Sequence, residues 1–145
     1  VSQPQTGQAE HKQGDLVDVE VRLLADLGQL FVVRALAATI AIRQDFALDA
    51  VEDVKLAVDE ICSTLVPRAA VGEQLSCRFI ASDGRITVLA RVVSDSAVPV
   101  DEETFGWRVL TTLTDEAHSS VTPLGDAGYQ VAIEVSQSQP SAYRS

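Results

Sequence analysis

Residues 56–66 read LAVDEICSTLV, and the spacing of their apolar members organises the chain around them. Together with the turn before it, this stretch places Val51, Val54, Val58, Ile61 and Leu65 at steps of three and four. That spacing predicts an α-helix with one continuous buried stripe. At about 100° per residue, Asp53, Ala57, Glu60 and Thr64 form a second line, well around from the stripe. Glu60 and Thr64 sit one above the other on it, whereas Asp59 points elsewhere, toward solvent. Pro67 ends the helix near Val66. An acid placed like Glu60 has two readings. One is a solvated helix edge, which accounts for most such residues; the other is a site.

Upstream, residues 16–22 (LVDVEVR) alternate apolar and polar side chains and read as a half-buried strand. Asp26 is a fair N-cap for a first helix over residues 27–43, with Leu30, Val33, Leu36, Ala37 and Ile40 at helical spacing. The segment RQDFALD breaks that helix, and Asp45 or Asp49 is expected to start the next. Downstream, residues 74–82 and 85–93 alternate on either side of Asp83-Gly84, a strong hairpin signal. The polar stretch SDSAVPVDEET reads as a loop long enough to be a lid or to be disordered. Residues 105–118 (FGWRVLTTLTDEAH) show helical spacing through Trp107, Leu110 and Leu113, and two short strands follow around Gly125-Asp126.

The order is therefore β-α-α-β-β-loop-α-β-β. It predicts an α+β two-layer sandwich: a mostly antiparallel mixed sheet with helices on one face. Residues 16–136 are expected to form a single folded domain, flanked by polar tails over residues 1–15 and 137–145. The N-terminal stretch has no apolar segment and does not read as a signal peptide.

With 145 residues, 46% of them apolar, the chain can bury a sizeable core. No apolar run approaches membrane-spanning length, so no membrane role is expected. A formal net charge of −10 argues against nucleic acid as a partner, because phosphate contacts need clustered Lys and Arg. The two cysteines, Cys62 and Cys77, cannot make a disulfide framework or, with only two histidines, a zinc site. They read most simply as buried thiols of a reducing cytoplasm. His118 has no motif that would make it part of a catalytic triad.

The helix LAVDEICSTLV, the hairpin, VVSDS at its end, and FGWRVLTTLTDEAH together resemble the anti-sigma factor/serine-protein kinase family of anti-sigma-F and anti-sigma-B type. That family belongs to the GHKL superfamily of Bergerat-fold ATPases. Its helix motif runs Leu-Ala-Val-x-Glu-x-x-x-Asn. The resemblance implies that Glu60 corresponds to the catalytic base toward the attacking hydroxyl or water, a role that needs a carboxylate held by a rigid element. The family asparagine, a ligand of the Mg²⁺ that bridges nucleotide phosphates, falls on Thr64, which offers a single hydroxyl. Asp95 corresponds to the aspartate that accepts from the adenine amino group. Its Asp-x-Gly-x-Gly box reads Asp95-Ser96-Ala97-Val98-Pro99, with both glycines gone. The second phosphate turn keeps Gly106, followed by Trp107 and Arg108, whose charge would assist an anion at this helix start. The usual Gly-Thr pair appears as Gly128-Tyr129.

What the resemblance implies is thus an ATPase scaffold with a degenerate site, holding ATP or ADP with Mg²⁺ weakly or not at all. The partners it implies are an alternative, stress- or sporulation-type sigma factor, an anti-sigma-factor antagonist that releases it, and a second copy in a homodimer. The family's dimer and sigma surfaces point to the first helix region, near residues 30–43. An active serine/threonine kinase acting on the antagonist is the alternative. A redox-sensitive module built on Cys62 and Cys77 is a third reading.

Overall fold

The computed structural model describes residues 16–139; the expected tail over residues 1–15 and the last residues, 140–145, lie outside it. Five strands form one sheet in the order β1-β2-β3-β5-β4: β1 (Val17–Leu24), β2 (Gln74–Ser82), β3 (Arg85–Ser94), β4 (Glu116–Pro123) and β5 (Tyr129–Ser138). All four neighbouring pairs are antiparallel, which sharpens the expected mostly antiparallel sheet. Three helices, α1 (Leu30–Arg43), α2 (Leu48–Leu65) and α3 (Phe105–Leu113), pack on one face and complete the α+β two-layer sandwich.

Alternation in the strands builds the core. Cys77 and Phe79 of β2 face Ala90 and Val88 of β3, which in turn face Ile133 and Val135 of β5. All six are buried, at the centre of a layer that the stripe Val51, Val54, Val58, Ile61 and Leu65 of α2 covers. The hairpin forms as its Asp-Gly signal requires. Asp83 and Gly84 have φ of 53° and 75°, the two successive positive values of a type I′ turn.

Four local expectations change. Asp26 does cap, accepting from the Gly28 N–H at 3.0 Å, but a 3-10 turn over Leu27–Gln29 comes first and the α-helix begins at Leu30. Asp45 ends a helix instead of starting one. It sits at φ 62°, with its N–H on Ile42 O and the Phe46 N–H on Ala41 O, a Schellman closure of α1. The next helix starts at Leu48, after Ala47, and Asp49 falls in its first turn.

The helix expected to reach residue 118 stops at Leu113. Thr114 is extended and returns its hydroxyl to Leu110 O at 2.8 Å, and the Asp115 N–H moves to Ser136 O, so Glu116 to His118 join the sheet. At the other end, β5 continues to Ser138, and Gln137 and Gln139 are buried, so the folded region passes residue 136.

Candidate functional site

The site grows from the second line of α2. Ala57 on that line is buried, while Asp53, Glu60 and Thr64 are half-buried along the edge that faces α3 and the loop before it. Asp59, one residue off the line, is not simply solvated. It accepts from Arg34 Nε at 2.9 Å and so ties α2 to α1.

Glu60 meets the first turn of α3. A Cβ built on Gly106 would lie 2.1 Å from Glu60 Oε2 and 2.8 Å from its carboxyl carbon, so only glycine leaves room for this carboxylate. Thr104 caps the same turn, accepting from the Trp107 N–H at 3.1 Å. Trp107 is buried and serves the core. Thr64 lies one turn beyond Glu60 and donates its hydroxyl to Glu60 O at 2.9 Å. It borders a cavity of about 360 Å³ with Arg68, Val98, Asp101, Thr104 and Trp107.

The loop that closes this cavity is stitched down by its own side chains. The Ser96 and Val98 N–H groups donate to the hydroxyls of Ser94 and Ser96, and the Glu103 N–H donates to Asp101 Oδ1 at 2.9 Å. The Arg68 guanidinium donates to Val98 O. Ser119 donates to Glu102 Oε2 at 2.7 Å, which ties the loop to β4. Val100 in its middle is buried. The loop is a fitted strap, not a disordered segment.

Asp95 is exposed at the end of β3, beside Gly128. A Cβ at Gly128, whose φ is 99°, would meet Ser94 O at 2.5 Å, so this glycine secures a backbone crossing next to Asp95. Arg108 faces a different groove, with Phe105, Val109 and Leu113 on the outer side of α3. Glu60, Thr64 and Gly106 therefore come together, Asp95 stands at the sheet end beside Gly128, and Arg108 turns away. Reading the sequence missed Arg68, Asp101 and Thr104. Only Thr104 had a local signal, a hydroxyl residue just before an apolar helix.

Tested against Mg²⁺ and nucleotide phosphates, these residues fit poorly. Thr64 supplies a single hydroxyl oxygen toward a cation that takes six, and a carboxylate already lies against the helix start where phosphates would approach. Among the described residues no group of three or more His, Cys, Asp or Glu side chains converges on a metal position.

Over 101 residues the chain is 33% identical to the anti-sigma-F factor RsbW of Mycobacterium tuberculosis, in both strain CDC 1551 / Oshkosh and strain ATCC 25618 / H37Rv. Over that stretch the chain is similar in sequence to these anti-sigma-F factors. The match takes in 70% of this chain and 60% of the length of each of these curated relatives. No family model matches the chain.

Chemistry elsewhere does not compete with this kinship. Cys62 and Cys77 are both free and buried. Donation of the Cys62 S–H to the neighbouring Cys77 sulfur, with burial second, pushes the Cys62 thiol well above its ordinary range. Such a thiol is a poor source of thiolate. His118 lies exposed on β4, with Nε2 at 3.7 Å from Glu116 Oε1. Among the described residues no helix is long and apolar enough to cross a membrane.

Proposed function

We propose that this chain is an anti-sigma factor of the GHKL type, which binds and sequesters an alternative sigma factor in the cytoplasm until an antagonist releases it. The observation that carries the reading is its kinship with the anti-sigma-F factor RsbW over 101 residues. The surface of α1 supports it. That helix is apolar on two sides: Leu30, Val33, Ala37, Ile40 and Ala41 are buried, while Phe31, Val32, Ala35 and Ile42 are exposed on the other side. Phe31 and Ile42 are 64% and 61% exposed. A helix apolar on both sides is suited to an interface. The formal charge of −10 would speed encounter with the basic segments of a sigma factor. The same helix supplies the apolar surface that a homodimer needs.

Nucleotide binding is taken as weak or lost, because Thr64 stands where an asparagine is expected and the box that begins at Asp95 lacks both glycines. Calorimetry against the sigma factor encoded beside this gene tests the main reading. Binding at about 1 μM or tighter is expected, and no heat at that level overturns it.

The convergence of Glu60, Thr64 and Gly106 favours one second reading, a serine kinase acting on the antagonist. Incubation with labelled ATP, Mg²⁺ and antagonist decides it: transfer that Glu60→Gln abolishes supports the kinase, and no transfer removes it.

A further inference from the structure

The sheet face turned away from the helices carries a row that none of the preceding chemistry uses. Arg22 of β1 is paired in register with Ser76 of β2, and Ser76 with Arg91 of β3, so the three side chains project side by side from one face. Both guanidiniums turn to a single carboxylate. Arg22 Nε is 2.9 Å from Glu20 Oε2, and an Arg91 terminal nitrogen is 3.3 Å from Glu20 Oε1. Ser76, between them in the row, is 7% exposed; its buried hydroxyl makes no hydrogen bond of good geometry, and the nearest acceptor it serves is the Glu20 carboxylate. A buried hydroxyl so loosely served gains from a better partner.

These three residues border a cavity of about 410 Å³, walled further by Gln74, Gln130 and Glu73. The turn before β2 raises one wall, with the Glu73 N–H on Ala70 O and the Ala70 N–H on Val93 O. A volume of this order suits a small molecule. Its donors are two guanidiniums, a hydroxyl and two amides, the set that oxyanions select. Glu20 and Glu73 balance the two arginines in formal charge. That balance favours a singly charged group over a polyphosphate and sets this cavity apart from the surface around Glu60, on the helix side of the sheet.

We propose that the outer-face cavity is a binding site for a small oxyanion, a carboxylate or a phosphate monoanion, held by Arg22 and Arg91 with the Ser76 hydroxyl completing its contacts. The site lies at the end of the sheet where β3 leads into Asp95, so an occupant would sit beside the strand that carries the strap.

The test is an amide NMR titration of the full chain in phosphate-free buffer with inorganic phosphate, acetate, and sodium chloride at matched ionic strength. Saturable shifts centred on Arg22, Ser76, Arg91 and Gln130 are expected with phosphate or acetate and not with chloride, and whichever anion saturates names the class. Arg91→Gln should weaken binding about tenfold or more. Ser76→Ala, which keeps the fold and removes only the hydroxyl, should weaken it about threefold or more. Shifts equal to those in chloride, shifts scattered over the surface, or affinity unchanged in Ser76→Ala would each overturn the proposal.

Discussion

Gly106 and Glu60 occupy each other's space: the position a Cβ of residue 106 would take lies 2.1 Å from Glu60 Oε2. The glycine of α3 is thereby a condition for the placing of a carboxylate on α2. The atom in the way is the tip of a flexible side chain, so Gly106→Ala is expected to fold with Glu60 displaced. Its helix-propensity gain of about 1 kcal/mol offsets part of that cost. In a urea-denaturation cycle, Glu60→Ala should recover stability in the Gly106→Ala background, with a coupling of about 0.5 kcal/mol or more. Strict additivity would show that the two residues do not meet.

Gly128 behaves differently, because what it excludes is backbone. Its φ of 99° disfavours any side chain, and Ser94 O at 2.5 Å from the Cβ position cannot rotate away. Gly128→Ala should lose about 2 kcal/mol or more, seen as a lower urea midpoint at unchanged slope.

Thr104 holds the start of α3 through its bond from the Trp107 N–H. Thr104→Ala is expected to cost about 1 kcal/mol, and Thr104→Asp to keep most of that stability. Equal losses in the two variants would show that the cap contributes nothing.

On the outer face, the hydrogen bond from Arg78 holds the Asp18 carboxyl below the ordinary range, and that from Arg22 does the same for Glu20. A depressed folded pKa means stability that is present above the ordinary carboxylate range and lost as pH falls through the folded value. Acid unfolding should therefore steepen below about pH 4, and Asp18→Asn should flatten it. Asp53 runs the opposite way, raised by burial first and by Asp49 second. Its charged form is disfavoured in the fold, so Asp53→Asn should be more stable than the parent at pH 7 and level with it in acid.

The exposed side of α1 should separate binding from folding. Phe31→Glu and Ile42→Glu alter surface residues and are expected to shift stability by no more than about 0.5 kcal/mol. Each should weaken sigma-factor binding about tenfold or more. A sigma-factor affinity untouched by both would move the docking surface off this helix.

Much of the architecture was legible in the order of residues. The stripe of α2, the alternation of β2 and β3 and the Asp83-Gly84 turn are local patterns, and each appears where its period put it. The α+β layering followed from them. The misplaced boundaries share one cause. Asp45 in isolation is as good a helix starter as Asp49, but the Schellman closure of α1 claims it. The run after Leu113 keeps a helical period, but pairing with β5 claims its backbone.

Sequence alone determined which elements form and in what order, because periodicity and turn chemistry act within a few residues of one another. Tertiary structure decided which side chains meet. Glu60 and Gly106 are 46 positions apart in the chain and touch because α2 and α3 pack on one face. Arg22, Ser76 and Arg91 share a row because strand register aligns them across three strands. Arg108, next to Trp107 in sequence, turns outward because one step along a helix rotates a side chain by about 100°. Contacts of this kind are set by register and packing angle, and no local pattern encodes either.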